Sequence, residues 1–295
     1  MPAAYAACDL CGAQEPEMLL ESSRLDGPLV RCRECGLVYV GRRRRDFTFA
    51  AADPATSHSL SPRVDALGLV DRSVEDAEEP LRRRGFEDRV ARLRRHLDSG
   101  ALLDVGCAAG DFMLAARAAG FDVEGVEPEP TSSERARARG LRVASATLTE
   151  AAYPAERFDA VTMLHVLEHV ASPREMLAEV RRILRPGGVV AVEMPTIDTI
   201  WFRLLRSRWR QLIPDHYYFF TAGTLSRALA TAGLHTLEVA RVGRPVSVRL
   251  LADRVRRISP PAGRGVRALA RATGLEDRPV YVNPGDVMLA FARRE

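Results

Sequence analysis

Apolar residues recur along this chain in two patterns, one with the spacing of helices and one in short runs typical of strands. The regular alternation of the two patterns is the first indication of the fold. Phe86, Val90, Leu93 and Leu97 recur at helical spacing, which predicts an amphipathic helix over residues 81–98. Short apolar runs between turn residues predict strands at 101–105, 121–126, 142–144, 158–164, 189–194, 237–242 and 287–291. Helical patterns fill the intervals at 111–119, 131–139, 173–184 and 222–232.

This alternation of strand and helix predicts the α/β fold class, with a doubly wound, mostly parallel, seven-stranded Rossmann-like sheet. Two segments do not follow this alternation of strand and helix. Residues 196–220 are rich in aromatic side chains and arginine, which indicates a substrate lid. Residues 246–274 contain two amphipathic helical patterns separated by Pro260-Pro261, which we interpret as a helical insertion.

The composition is that of a globular protein. Of the 295 residues, 46% are hydrophobic and 28% are charged. No apolar run approaches the roughly 20 residues that a membrane span requires. The first residues lack the basic start and apolar stretch of a signal peptide, so we expect a cytoplasmic location.

The charge distribution disfavours nucleic acid as a partner. The net charge is +4, and every one of the 43 basic residues is arginine. Phosphate binding needs a concentrated basic patch, but the tight clusters are confined to Arg42–Arg45 and Arg82–Arg84. Solvated surface and linker are the interpretation that this pattern favours.

A glycine-containing turn follows the first predicted strand of the sheet, in the segment Leu102–Gly110. Gly106 lets the backbone bend sharply after the strand, and Gly110 lets a helix start close to a ligand. Asp104 can accept a hydrogen bond from an ammonium group or from water. About 20 residues further on, Glu127 ends the second strand, where a carboxylate can bind both hydroxyls of a ribose. Dehydrogenases share this glycine pattern, so it does not identify the ligand by itself.

Two later segments help to identify the ligand. The first is Phe158-Asp159-Ala160-Val161 followed by Leu167-Glu168-His169-Val170, and the second is Leu184-Arg185-Pro186-Gly187-Gly188. In this order, and together with the glycine turn and Glu127, they resemble the class I S-adenosylmethionine-dependent methyltransferases over roughly residues 80–240. The resemblance implies S-adenosylmethionine as cofactor and methyl transfer as the reaction.

The cofactor contacts follow from this resemblance, with two departures. Ala108 stands where many members have a second glycine, and the stretch Ala144–Leu148 lacks the aspartate that often binds the adenine amine. We expect Cys107 to pack beside the cofactor. The full set of expected cofactor contacts is Asp104, Gly106, Cys107, Gly110, Glu127, Thr147, Leu148 and His165.

Four cysteines form two pairs, Cys8-x2-Cys11 and Cys32-x2-Cys35, with 20 residues between the pairs. This spacing predicts one tetrahedral Zn²⁺ in a small N-terminal zinc knuckle or ribbon. Four protein ligands leave no open coordination position, so the metal is expected to be structural. Disulfides are the alternative, but they fit a cytoplasmic enzyme poorly. The module can grip RNA or brace the substrate entrance, and the scarcity of stacking aromatics favours bracing.

We therefore expect three parts along the chain. They are a zinc-binding module at 1–45, a linker at 46–80 and a methyltransferase domain at 81–295.

Methyl transfer to a hydroxyl needs a group that removes the proton. His165, Glu168 and His169 are spaced so that they share one helical face. They resemble the Glu-x-x-Glu-His stretch of ubiquinone-pathway O-methyltransferases, which is associated with a divalent ion, although His165 here replaces the first glutamate. The alternative is that Glu168 and His169 hold the loop by local hydrogen bonds, whereas His165 lies near the expected methyl position.

The segment Asp215–Thr221 carries another candidate base. It resembles a segment of zinc-containing methyltransferases from natural-product and cell-envelope pathways. In deoxysugar C-methyltransferases a comparable acidic residue and histidine supply the general base. The resemblance implies that His216 takes the proton and that Asp215 orients it; the alternative is a structural contact at the start of the next helix. Trp209 is the lid residue expected to touch the acceptor.

The leading hypothesis is methyl transfer to a small-molecule or glycan acceptor, at oxygen, with a histidine base. The alternatives are C-methylation of a nucleotide-linked deoxysugar, N-methylation, and methylation of RNA held by the zinc module. A non-enzymatic alternative is a cofactor-binding scaffold. The helices in 246–274 leave open a homodimer, a cover over the active site or contact with a membrane surface.

Overall fold

The computed structural model describes residues 5–42 and 78–295. The predicted linker at 46–80 therefore lies almost entirely outside the described residues. The strands are β1 Glu17–Leu20, β2 Leu29–Arg31, β3 Val38–Val40, β4 Ala101–Val105, β5 Asp122–Val126, β6 Arg142–Ala144, β7 Phe158–Leu164, β8 Leu184–Pro195, β9 Tyr218–Phe219, β10 Leu234–Arg241, β11 Arg244–Ser247, β12 Pro279–Val282 and β13 Val287–Arg294. The helices are α1 Glu79–Leu93, α2 Asp111–Ala118, α3 Pro130–Ala138, α4 Pro173–Ile183, α5 Ile200–Leu205, α6 Ala222–Thr231, α7 Val248–Ile258 and α8 Pro260–Ala272.

A seven-stranded sheet forms the centre of the molecule, with the strand order β10-β13-β8-β7-β4-β5-β6. β6, β5, β4, β7 and β8 pair in parallel, whereas β13 runs antiparallel to β8 and to β10. This confirms the predicted mostly parallel sheet. The central strands are covered on both faces, so residues 189–194 of β8 are all buried.

Several elements begin or end at other residues than the sequence predicts; β8, for example, begins at Leu184 and not at residue 189. β10 begins at Leu234, three residues before its predicted start, because the polar His235 and Thr236 lie on an edge strand and hide the alternation. α1 ends at Leu93, and Leu97 lies beyond it. The predicted pair of helices in 246–274 is present as α7 and α8, and the strands before and after them, β11 and β12, pair antiparallel.

A second sheet, with the order β1-β2-β3-β9, joins the N-terminal cysteine segment to the rest of the chain. β9 comes from the predicted lid, and its Phe219 and Tyr218 pair with Val38 and Tyr39. Both β9 residues are buried. This part of 196–220 is therefore a strand of the second sheet.

Trp209 also differs from the expectation that it touches the acceptor. It is 1% exposed and packs in one cluster with Leu29, Phe202 and Phe219. The ring therefore fills the contact between the N-terminal module and the segment after β8. Among the described residues, no helix combines the length and the apolar content needed to cross a membrane.

Candidate active site

The loop between β4 and α2 makes a close turn at the carboxyl edge of the sheet. Gly106 and Gly110 have φ angles of 69° and 82°. A Cβ at Gly110 would lie 2.2 Å from Cδ1 of Leu141, and one at Gly106 would lie 2.6 Å from Cγ2 of Val166. Both positions therefore require glycine. Ala108 has a φ of 46°, so the residue that departs from the family pattern occupies a conformation that glycine adopts more easily.

Two buried carboxyl groups lie under this loop. Asp104 accepts a hydrogen bond of 2.6 Å from the Thr162 hydroxyl. Burial, reinforced by the nearby Glu127, raises the pKa of Asp104 to about 7. Glu127 accepts 2.9 Å hydrogen bonds from the backbone amides of Ala108 and Glu129. Burial raises the pKa of Glu127, and the two amides partly offset this. A cationic ligand at this edge would favour the ionised form of both groups.

Three further residues expected to contact the cofactor are Cys107, Leu148 and Thr147. Cys107 is buried, and a Cβ at Gly125 would lie 2.7 Å from its Sγ, so the thiol packs tightly against β5. Burial raises the pKa of Cys107, which keeps it an unreactive thiol. Leu148 is buried in the main core. The amide and hydroxyl of Thr147 both donate to Glu150 at 2.8 Å, so Thr147 lies in a turn that Glu150 stabilises.

His165 follows β7 and has a φ of 58°, which aims its ring between two carboxylates. Its Nδ1 lies 3.2 Å from Oε1 of Glu168, and its Nε2 lies 3.4 Å from Oε1 of Glu193. Burial alone would lower the pKa of His165, but the hydrogen bonds to the two carboxylates raise it. The side chain is 46% exposed, so water weakens both ion pairs without reversing the direction. An imidazolium has no free lone pair, so this geometry disfavours His165 as a general base.

Glu193 and Arg89 belong to this site although the sequence prediction missed them. Nε of Arg89 donates to Oε2 of Glu193 at 2.8 Å, and Nη2 donates to Oε1 at 3.2 Å. Both side chains are about 92% buried. A single glutamate inside the apolar run of β8 is the signal that could have revealed Glu193. Arg89 carries no comparable signal, because arginines are frequent throughout α1.

His169 and His216 lie next to each other, with ring centroids 4.7 Å apart. Nδ1 of His169 lies 2.7 Å from the carbonyl oxygen of Asp215, and Nδ1 of His216 lies 2.8 Å from that of Gln211. A carbonyl oxygen only accepts, so each Nδ1 carries a hydrogen, and in a neutral ring Nε2 then keeps its lone pair. Burial and the neighbouring His169 lower the pKa of His216 to about 3, so His216 is neutral near pH 7.

Glu168 completes this cluster. It is 1% exposed, and its Oε2 has no hydrogen-bond partner among the described residues. One ligand atom from each of Glu168, His169 and His216 lies within 4.8 Å of the others. The structure therefore groups His216, and not His165, with Glu168 and His169 as a possible divalent-ion site. Two imidazoles and one carboxylate are a donor set that suits transition metals.

Asp215 does not orient His216 through its side chain. The carbonyl oxygen of Gln211 accepts from His216, and Asp215 contributes its own carbonyl oxygen to His169. These carbonyl partners could not be predicted from the local sequence, because every residue has a backbone carbonyl and no residue type marks the one that is used. The expected carboxylate–histidine pair is therefore replaced by two carbonyl–histidine pairs.

The four N-terminal cysteines converge as their spacing predicts. The sulfur of Cys8 lies 3.4 Å from that of Cys35, and the sulfur of Cys11 lies 3.5 Å from that of Cys32. All four sulfurs lie within 4.8 Å of one another. Disulfide sulfurs lie about 2.05 Å apart, so these are free thiols. The separations suit sulfurs placed about 2.3 Å from a common Zn²⁺.

Comparison with known proteins extends this picture. A family profile described as "Methyltransferase domain" matches residues 78–239, more than half of the 295-residue chain. The ubiquinone biosynthesis O-methyltransferase of Alkalilimnicola ehrlichii is 31% identical over 156 residues, covering 50% of this chain and 59% of the relative. The trans-aconitate 2-methyltransferase of Methylobacterium radiotolerans is 33% identical over 144 residues, covering 46% and 54%. The chain thus spans little more than half the length of these relatives.

Solved structures share the fold. A possible histamine N-methyltransferase from Thermotoga maritima aligns with a TM-score of 0.51 at 19% identity, over 77% of this chain and 99% of its own. An S-adenosylmethionine-dependent methyltransferase from Archaeoglobus fulgidus aligns with a TM-score of 0.52 at 17% identity, over 74% and 97%. At these identities the structural match supports the fold. Together with the matched family profile, it shows that the chain belongs to the class I S-adenosylmethionine-dependent methyltransferases.

Proposed function

We propose that this methyltransferase transfers a methyl group to the hydroxyl oxygen of a small-molecule or glycan acceptor, with His216 as proton acceptor. The observation that carries the proposal is the tautomer of His216. Its Nδ1 donates to Gln211, which leaves an Nε2 lone pair with no protein partner among the described residues. The O-methyltransferases among the relatives support oxygen as the methylated atom.

The cofactor would bind at the loop after β4. Asp104 is placed to accept from the ammonium group, and Glu127 can exchange its bond to the Ala108 amide for bonds to the ribose hydroxyls. Gly106 and Gly110 let the backbone approach the ligand, and Cys107 packs beneath it. We propose that Thr147 and Leu148 border the adenine, and that His165 borders the methyl group. When bound, S-adenosylmethionine supplies an electrophilic methyl on its sulfonium.

The protein's own contribution is to position the acceptor and remove its proton. The acceptor hydroxyl donates its proton to Nε2 of His216, and its oxygen forms the new bond to carbon while the bond between carbon and sulfur breaks. His216 then returns the proton to solvent. Arg89 keeps Glu193 ionised, and Glu193 and Glu168 hold His165 in place.

A specific observation favours a second version of this chemistry, in which a divalent ion binds Glu168, His169 and His216. The unpartnered Oε2 of Glu168 is buried beside two imidazoles, a costly arrangement unless something binds it. In that version Glu168, His169 and His216 would hold the ion, and a bound ion would make the acceptor hydroxyl easier to deprotonate. Mild chelation that leaves one zinc per chain, checked by elemental analysis, followed by metal add-back separates the two: activity that survives without a second ion supports His216 as base.

We also propose one structural Zn²⁺ at Cys8, Cys11, Cys32 and Cys35, which is consistent with a reducing cytoplasmic location.

The proposed function is tested with methyl-labelled S-adenosylmethionine and a panel of phenols, hydroxy acids, nucleotide sugars and transfer RNA. Carbon-13 shifts of the product distinguish methyl on oxygen from methyl on carbon or nitrogen. Methyl on the oxygen of a small molecule supports the proposal; label confined to RNA, or to carbon, contradicts it.

A further inference from the structure

A short segment after β8 exposes large apolar side chains and arginines together. Ile200, Trp201, Leu204 and Leu205 of α5 are 61%, 40%, 69% and 43% exposed. Phe202, by contrast, is buried and anchors the helix to the cluster that contains Trp209. We define the four exposed apolar residues of α5, with Arg206 and Arg208, as the lid surface. Adjacent exposed side chains of this size indicate a contact surface.

The charge of this segment has one sign. Residues 199–214 contain four arginines and no acidic residue. Arg203 pairs with Asp198, and Arg210 pairs with the buried Asp286. Arg206 and Arg208 are exposed and form no ion pair with any residue that the structure describes. The lid surface therefore presents a net positive charge beside its apolar side chains.

We propose that the lid surface binds an anionic lipid bilayer at its interface. Aliphatic side chains flanked by arginine match acyl chains below anionic headgroups. Nε1 of Trp201 donates to the carbonyl oxygen of Pro284 at 2.8 Å, which satisfies its polar atom while part of the ring stays exposed. At about 9 Å in length, α5 can insert only shallowly and cannot span the bilayer.

The charge also argues against a second copy of the chain as the occupant. A symmetric contact would place two lid surfaces face to face, and both carry only positive charge. Anionic phosphates would instead pair with Arg206 and Arg208.

The lid surface follows β8 at the carboxyl edge, where His165 and the cofactor loop also lie. A membrane-bound lid would place this edge near amphipathic acceptors dissolved in the bilayer. That consequence rests on the proposed function, whereas the lipid contact itself does not.

The test is sedimentation of the purified full chain with phosphatidylcholine vesicles, with and without phosphatidylglycerol. We expect binding that requires phosphatidylglycerol and weakens as salt rises. The doubly substituted Leu204→Ser/Leu205→Ser protein should bind at least about tenfold more weakly. The matched control is Val266→Ser/Leu269→Ser in α8, which removes exposed apolar groups elsewhere and should bind as the wild type does.

A second pair of variants tests the charge. Arg206→Gln/Arg208→Gln should weaken binding by roughly tenfold or more, since each interfacial arginine contributes about fivefold. Arg264→Gln/Arg278→Gln should not change it. Thermal melting checks that each variant folds.

Fluorescence gives an independent readout, because the chain has two tryptophans and Trp209 is buried. A blue shift on phosphatidylglycerol vesicles therefore reports Trp201 entering the interface. No vesicle binding by the wild type, or equal loss in the α8 control, would overturn the proposal. Self-association that depends on Leu204 and Leu205, without vesicle binding, would instead identify a second copy as the occupant.

Discussion

The two sides of the proposed active site are built in different ways. The cofactor side comes from one contiguous turn after β4 and from Glu127 at the end of the next strand, and backbone amides hold that glutamate. The acceptor side gathers Arg89, Glu168, Glu193 and His216 from four separate segments. The cofactor side therefore depends on local backbone geometry, whereas the acceptor side depends on long-range packing that includes the N-terminal module.

Loss of the cysteine cluster should have the largest effect, and mainly on the acceptor side. We expect Cys32→Ser to abolish zinc binding and to lower the melting temperature strongly, because structural zinc binding contributes on the order of 10 kcal/mol. β9 and Trp209 would lose their packing partners, and His216 lies two residues before β9. Elemental analysis and calorimetry measure both effects. The control Cys107→Ser, at the buried cysteine outside the cluster, should retain zinc; unchanged zinc content in Cys32→Ser would contradict the site.

Removal of the proposed base should act on turnover alone. We expect His216→Asn to lower kcat by roughly 10²- to 10⁴-fold while the Kd for S-adenosylmethionine stays unchanged. The control is Asp215→Asn, which should lose far less activity because Gln211 and not the Asp215 side chain holds His216. Initial rates with the acceptor found in the panel measure both. Equal losses of activity in the two variants would show that the Asp215 carboxylate, and not Gln211, orients His216.

Cofactor affinity should depend on pH through Asp104. Its raised pKa of about 7 means that the carboxyl is protonated below that pH in the free protein. The cationic cofactor favours the carboxylate, so binding below about pH 7 releases a proton. Affinity should therefore rise with pH by at most tenfold per unit and level off above about pH 7. Because the pKa is raised on folding, the cofactor-free protein should lose stability as pH rises from about 4, the ordinary range of the carboxyl, to about 7. Asp104→Asn should flatten both profiles, and a steep profile in that variant would exclude Asp104 as the cause.

The smallest predicted effect concerns the departure at Ala108. Its φ of 46° is strained for alanine, so Ala108→Gly should stabilise the cofactor-free protein by up to about 1 kcal/mol. Ala109→Gly is the control, because Ala109 does not have a positive φ and should gain nothing. Chemical denaturation resolves the difference. A loss of stability in Ala108→Gly would show that the turn tolerates alanine without strain.

The backbone of the proposed cofactor side could be predicted from the sequence because its signals are local. Gly106 and Gly110 meet close neighbours at positive φ, and the positions of the strands along the chain follow from the apolar periodicity. The cysteine spacing likewise predicted the convergence of four sulfurs, since each pair forms its own tight turn.

The features of the proposed acceptor side that depend on contacts between residues far apart in the sequence were not predicted. The pairing of β9 with β3 buries Tyr218 and Phe219, which looked like lid residues in the sequence. The ion pairs of His165 with Glu168 and Glu193 disfavour the role assigned to it as a base. The pairing of β9 with β3 and the contact of His165 with Glu193 cannot be derived from spacing, because other elements of the fold separate these partners. Glu168, by contrast, lies only three residues after His165.

One calorimetric titration tests the central claim, that cofactor binding and acceptor chemistry occupy separable sides of one site. S-adenosylmethionine is titrated into the wild type, Glu127→Gln and His216→Asn. Our account predicts that His216→Asn binds as the wild type does, while Glu127→Gln binds roughly tenfold to hundredfold more weakly. Equal weakening in both variants, or wild-type binding by Glu127→Gln, would contradict it.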